Sequence, residues 1–279
     1  MTQKDVVNNL PLLKWPGGKR SLIKHILPVI PATFNRYYEP FLGGGALFFA
    51  LNPERSTLSD ENASLINCYV QVRDNPDAVI ALLSKMTNSA EVYYEIRSNK
   101  PTDSIAAAAR LIYLTTLSFN GIHRVNLRGE FKVPYGHKVH LQVCEPVRIY
   151  SASAALSTAN LICGDFEAPL RGAAARDLVY LDPPYTVAHG NNGFIKYNAK
   201  IFSWADQLRL ADVAHELARR GCYVVVSNAA HASIERLYSD FRSKEIVRPS
   251  VVAASAGYRG KVAEYIFYNE EIEGNVKEH

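Results

Sequence analysis

Short, almost unbroken apolar runs recur along the chain, each ending at a glycine, an acid or a proline pair, with amphipathic stretches between them. The first clear element, Arg36-Tyr37-Tyr38-Glu39, is short and aromatic, broken by Pro40 and followed by Phe41-Leu42-Gly43-Gly44-Gly45 and the apolar, helix-compatible Ala46 to Leu51. Strand, glycine turn and helix in that order open a nucleotide-binding βαβ unit. A second strand, Ser56 to Ser59, stops at Asp60. From Glu61 to about Ala159 the alternation gives way to helical patterns over Ala63–Met86 and Ser104–Leu117. The segment Phe119–Lys138, punctuated by Gly and Asn, then predicts a β-hairpin.

Alternation resumes with a strand at Asn160–Cys163 ending in Gly164-Asp165-Phe166, and another at Asp177–Leu181 ending in Asp182-Pro183-Pro184-Tyr185. Near-continuous apolar strands of this kind belong inside a parallel sheet. Ser203-Trp204-Ala205-Asp206 has the spacing of a capping box. It opens a helix with Leu210, Val213, Ala214 and Leu217 on one face, ending near Gly221. Tyr223–Val226 is a further buried strand closed by Ser227-Asn228, and Glu245–Ala254 with Ala263–Asn269 reads as an antiparallel pair around a Gly257–Gly260 turn. The whole describes an α/β chain with a doubly wound sheet. Residues 1–61 and 160–279 are expected to make the sheet domain, which the resemblance below makes the catalytic one, and 62–159 an inserted helical plus β-hairpin domain. In such sheets ligands bind beyond the carboxyl ends of the strands, and Phe41–Gly45, Asp60, Asp165, Asp182–Tyr185 and Asn228 all fall there.

The chemistry of those ends is specific in places. Two consecutive prolines remove two backbone donors and stiffen the segment after Asp182. An amino group would find two acceptors there, the Asp182 carboxylate and the Pro183 carbonyl, and Tyr185 offers a flat face for a planar base. Asp-Pro-Pro is also an ordinary way to end a strand. The three glycines permit close approach to the backbone, without the G-x-G-x-x-G or lysine-containing phosphate-loop spacing. Asp60, 15 positions after Gly45, suits a ribose diol. Taken alone the glycines equally suit a helix-capping turn. In Lys14-Trp15-Pro16-Gly17-Gly18-Lys19, Trp15 and Lys19 suit a ligand carrying a carboxylate, or simply an ordered arm. Residues 119–148 hold Arg124, Arg128, Lys132, Lys138 and Arg148 against Glu130 and Glu145. A basic hairpin with Phe119, Ile122 and Tyr135 suits a DNA groove, though a solvated surface hairpin has the same charge bias.

Composition changes this picture little. The formal net charge of the 279 residues is +4, from 31 Lys+Arg and 27 Asp+Glu, which permits DNA as a partner and does not identify it. The four cysteines, Cys68, Cys144, Cys163 and Cys222, have no zinc-type spacing, so no metal is expected. There is neither a secretion signal nor an apolar stretch of about 20 residues, so a cytoplasmic protein without membrane attachment is the expectation.

The order of Trp/Gly arm, FxGGG, acid after the second strand, basic insert, Gly-Asp-Phe and Asp-Pro-Pro-Tyr resembles the Dam/DpnII group of DNA adenine-N6 methyltransferases, the D12 class. The resemblance runs from about residue 13 to 269. Lys14-Trp15-x-Gly17-Gly18-Lys19 and Asn126–Pro134 are its most specific parts. It implies a Rossmann-like fold, S-adenosylmethionine as methyl donor without a metal, and double-stranded DNA as substrate; a monomer is the expectation. Trp15, Lys19, Phe41, Gly43, Gly45, Asp60, Asp165, Phe166 and Asp182 would contact the cofactor, with Asp60 on the ribose and Asp165 and Phe166 flanking its adenine. Asp182, Pro183, Pro184 and Tyr185 would hold the flipped target adenine. The hairpin would read GATC, with Arg124 on guanine, Phe119 and Asn120 wedged beside the extruded base, and Ile122 and Pro134 at apolar edges. Lys14, Asn126, Arg128, Lys132 and His137 would complete the DNA contacts; relatives commonly carry Arg where His137 stands. Two alternatives remain, an adenine methyltransferase of different site specificity and a catalytically silent DNA-binding relative.

Overall fold

A computed structural model describes residues 11–126, 128–186, 202–249 and 261–269. Among the described residues the fold is mixed α/β, with seven strands. The chain divides into two compact units, one spanning Met1–Ser21 and Leu42–Phe166, the other Leu22–Phe41 and Glu167–His279.

In the first unit, β2 (Ser56–Asp60) and β3 (Ala159–Cys163) pair in parallel, with Asp60 opposite Cys163. Helix α2 (Ala46–Leu51) follows the glycine turn. The expected helix over Ala63–Met86 is two, α3 (Ala63–Asp74) and α4 (Pro76–Leu83). Pro76 has no N–H and its ring bars Asn75 from helical geometry, so the chain turns there (Asn75 φ −134°, ψ 46°) and Pro76 begins the next helix at its first position. Asn62 caps α3 by accepting from Ser64 and Leu65 N–H at 3.1 Å. Helix α5 (Ala90–Ser98) and α7 (Pro146–Leu156) were not foreseen, whereas α6 (Ser104–Leu117) has the expected bounds. Asp103 caps α6 at 2.7 Å. Buried Leu65, Ile66, Tyr69 and Val72 of α3, Leu111 and Leu114 of α6 and Ile149 and Leu156 of α7 form its core.

Among its described residues the second unit holds the short α1 (Ile23–Ile26) and α8 (Glu167–Leu170) and five strands: β1 (Tyr37–Glu39), β4 (Leu178–Leu181), β5 (Tyr223–Ala229), β6 (Arg242–Pro249) and β7 (Lys261–Tyr268). β1, β4 and β5 run in parallel, whereas β7 joins β5 and β6 in antiparallel register. The expected Gly257–Gly260 turn lies outside the described residues. β4 is buried along its length, as its apolar run requires. α9 (Trp204–Arg219) opens on the expected capping box, with Ser203 Oγ accepting from Asp206 N–H and the Asp206 carboxylate accepting from Ser203 N–H. It ends before Gly221, at φ +79°. α10 (Ala232–Leu237) precedes β6.

Candidate active site and nucleic-acid interface

Within the first unit the glycine turn is tied to the end of β2. Leu42 N–H donates to Ser59 O at 2.9 Å, and Gly43 N–H to Asp60 Oδ2 at 3.0 Å. Asn62 N–H takes the other Asp60 oxygen at 2.9 Å. Each carboxylate oxygen has lone pairs left for a ligand hydroxyl. Burial pushes the Asp60 carboxyl up from the ordinary range, and the two N–H donors oppose that shift. Tyr69 on α3 donates its hydroxyl to Gly43 O at 3.0 Å. Gly43 and Gly45 have φ +47° and +64°, and a Cβ on Gly43 would meet Trp15 Cδ1 at 3.0 Å. Conformation calls for glycine at both positions, and a side chain on Gly43 would also press on the Trp15 ring. Lys19 is buried, 5% exposed, and donates to Gly17 O at 3.1 Å. Asp165 is half-buried and Phe166 buried, directly after Gly164, whose N–H donates to Asp60 O. Carboxylate, buried ammonium and close-approach glycines suit ribose hydroxyls and the carboxylate of an amino-acid moiety, so the donor set fits S-adenosylmethionine.

The N-terminal arm also meets the basic hairpin. Trp15 stacks on His123 with ring centroids 4.4 Å apart at 19°. Lys14 lies against Gly121, where an added Cβ would come within 2.9 Å of Lys14 Cδ. Burial, then Arg110, pulls the His123 imidazole down to about 4.

Among the described residues the hairpin carries two isolated bridges in place of regular strands, Ser118 with Tyr135 and Val125 with Phe131, and the N–H groups of Phe119, Lys132 and Asn126 donate across it to the carbonyls of Pro134, Arg124 and Glu130. Phe119 is 50% exposed, Asn120 is exposed at φ +54°, and Ile122 is half-buried. Arg124, Arg128, Lys132, Pro134 and His137 are exposed. Lys132 pairs with Glu130 at 2.9 Å. Asn126 is occupied within the turn: its Oδ1 accepts from Arg128 and Glu130 N–H, and its Nδ2 donates to Glu130 Oε2 at 2.8 Å. Tyr135, read from the sequence as a groove-facing side chain, is buried. Its ring packs on Tyr93 at 5.3 Å and its hydroxyl donates to Asn88 Oδ1 at 2.5 Å. Period-two alternation explains this, since Phe131, Val133 and Tyr135 share the inward face and Lys132 and Pro134 the outward one.

Helix α5 and its flanks hold this arm. Tyr93 Oη and Arg97 Nη1 donate to Val133 O at 3.0 and 3.2 Å, and Asn88 Nδ2 donates to Lys138 O and Leu141 O. Sequence reading missed these supports, because their partners are backbone carbonyls and leave no pattern.

In the second unit Asp182-Pro183-Pro184-Tyr185 leaves the carboxyl end of β4, between β1 and β5. Asp182 Oδ1 is shielded from solvent. Behind it lies a buried polar group: Tyr37 donates to Glu39 Oε2 at 2.9 Å, and Tyr180 Oη lies 2.9 Å from Ser227 Oγ. Burial, followed by Glu39, Tyr180 and Asp182, drives the Tyr37 phenol far up, so it stays a neutral donor. Phe41 packs edge-on against Phe202, centroids 5.6 Å apart. Of the expected cofactor contacts, Phe41 and Asp182 thus belong to this unit and the rest to the first.

Among the described residues no group of three His, Cys, Asp or Glu could hold a metal ion, and no helix is long and apolar enough to cross a membrane. Residues 15–251 match the family model described as D12 class N6 adenine-specific DNA methyltransferase. The Type II methyltransferase M1.LlaDCHI of Lactococcus lactis subsp. cremoris is 38% identical over 96% of this chain and 98% of its own. The Type II methyltransferase M.MjaIII of Methanocaldococcus jannaschii is 31% identical over 87% and 92%. The DNA adenine methylase of Salmonella typhimurium is 32% identical over 92% and 94%. With near-complete coverage of these relatives, the chain belongs to the D12 class of N6 adenine-specific DNA methyltransferases.

Proposed function

We propose that this protein transfers a methyl group from S-adenosylmethionine to the N6 of an adenine extruded from double-stranded DNA, within GATC. The cofactor, when bound, supplies a sulfonium methyl already activated for displacement. Asp60 would hold the ribose hydroxyls, Lys19 and Trp15 the amino-acid end, and Asp165 and Phe166 the adenine of the cofactor. Adenine N6 is a poor nucleophile because its lone pair is delocalised into the ring. Accepting its two hydrogens at the Asp182 carboxylate and the Pro183 carbonyl favours a pyramidal nitrogen. That geometry belongs to the transition state, so the two acceptors act selectively there. Tyr185 gives the base a face to stack on.

Residues 62–159 serve as the target-recognition domain in this reading. Arg124 reads guanine, exposed Phe119 and Asn120 fill the gap left by the base, Ile122 and Pro134 meet apolar edges, and Lys14, Arg128, Lys132 and His137 meet the backbone. Extruding the base costs a few kcal/mol, which these contacts offset. The observation that carries the proposal is the Asp-Pro-Pro-Tyr segment at the carboxyl end of a parallel strand flanked on both sides, in a chain of this family. The test is single-turnover methylation by Asp182→Ala. Abolished transfer with melting temperature retained, and a loss of cofactor affinity far smaller than the loss of rate, is expected; a near-normal rate would remove Asp182 from the reaction.

A further inference from the structure

Gln207 lies in the first turns of α9 and is fully buried, at 0% exposure. Its hydrogen bonds account for an amide in that place. Its Nε2 donates to Thr186 Oγ1 at 3.0 Å and reaches Pro184 O at 3.4 Å. Its Oε1 accepts from Asn228 Nδ2 at 3.0 Å. Asn228, at 0% exposure near the end of β5, spends its own oxygen on Ala229 N–H at 2.8 Å. Thr186 passes the chain on by donating to Phe202 O at 3.2 Å.

The direction of this chain is forced. Because the Asn228 oxygen already accepts, only its amine can face α9, so Gln207 must present oxygen to β5 and nitrogen to the Pro184–Thr186 backbone. Every donor then points the same way, from Ala229 N–H to Phe202 O, an arrangement in which each bond polarises the next. The segment after β4 contains two prolines and cannot secure itself through their N–H groups. The α9 amide therefore supplies from outside what the segment lacks.

We infer that Gln207, oriented by Asn228, is a positioning residue for methyl transfer: it fixes the peptide units just after Pro183, and so the aim of the Pro183 carbonyl and the Tyr185 ring. The inference rests on the proposed role of Asp182–Tyr185 and adds a residue outside that segment. Gln207 touches neither donor nor base in this account, so its removal acts on the transfer rate and spares binding. Misplacing an acceptor by a fraction of an ångström to one ångström can cost up to about 100-fold in rate.

The experiment compares wild type, Gln207→Met and Thr186→Val in single-turnover methylation of a GATC duplex at saturating cofactor. Cofactor and duplex affinities and melting temperatures are measured alongside. Gln207→Met keeps side-chain length and removes both donors. It should slow transfer by about 10- to 100-fold with both affinities unchanged, and Thr186→Val should show a smaller loss of the same kind. An unchanged transfer rate, or a loss matched by equal losses in cofactor and duplex affinity, overturns the inference. If Gln207→Met does not fold, the same two outcomes are read from Thr186→Val. Asp182→Ala runs in parallel: if that variant keeps its rate, the reading of the segment fails, whereas if only the Gln207 and Thr186 variants keep theirs, the positioning role alone fails.

Discussion

Acidification should release the basic hairpin from the N-terminal arm through one residue, His123. Its imidazole is stacked on Trp15 at 4.4 Å, edge-on to Phe131 at 5.5 Å, and pulled from 6.5 to about 4 by burial and then by Arg110. A folded-state value below the unfolded one means that the released segment binds a proton over a range in which the docked one does not. The docked state is therefore fully favoured above about 6.5, and its advantage shrinks by about 1.4 kcal/mol per pH unit on the way down to about 4. Over that interval the loss is about 3 kcal/mol. Attraction between a protonated imidazole and the Trp15 face works the other way but is worth only about 0.5–1 kcal/mol, too little to reverse the sign. The assay is the fluorescence of Trp15 between pH 8 and 4 in a Trp204→Phe background, with the His123 ring followed by NMR. Trp15 emission should shift as the pH falls toward 4, and His123→Phe should abolish the shift. Titration of His123 near 6.5, or the same emission change in His123→Phe, would refute the reasoning.

Asp60→Ala should weaken S-adenosylmethionine binding by an order of magnitude or so, since it removes hydroxyl acceptors and leaves Gly43 and Asn62 N–H unsatisfied; calorimetry that finds an unchanged Kd moves the ribose elsewhere. Gly136→Ala would set a Cβ 2.7 Å from Ser118 O and 2.9 Å from Leu117 O, costing about 1–3 kcal/mol in strain. It should depress duplex affinity with cofactor affinity intact, and equal loss of both would contradict the division of labour. Arg124→Ala should relax selectivity at the guanine–cytosine pairs of GATC by about 1–3 kcal/mol. Lys132→Ala should act on all sequences alike and only slightly, because Glu130 already pairs with that ammonium. Methylation of oligonucleotides substituted at each position, at fixed salt, separates the two.

What the sequence made readable follows from where backbone rules are strict. β4 and the start of β5 are apolar runs, and the α9 capping box and the Gly221 stop are local chemistry, so these elements are readable to within a few residues, although β5 continues through Ser227-Asn228 to Ala229, where pairing with β7 carries it on. The break at Asn75-Pro76 is hidden in the sequence because hydrophobic spacing continues across it while the helical backbone does not. α7 hides its start in Glu145-Pro146, and Pro146 at the first helical position is the signal that would have found it. Tyr135 was misjudged because amphipathic aromatic residues look alike in sequence whether they face a groove or a core. Gln207 was invisible for a different reason. A buried amide is chosen by partners 21 positions away on either side, Thr186 and Asn228, and no local pattern records them.

Base-resolution sequencing of modified bases decides whether the protein methylates adenine N6 within GATC. DNA free of adenine methylation, incubated with the purified protein and S-adenosylmethionine, should carry N6-methyladenine at GATC on both strands. DNA treated with Asp182→Ala should carry none. Methyladenine spread over other contexts would remove GATC from the account, and unmodified adenine beside methylated cytosine, or no modification at all, would contradict it outright.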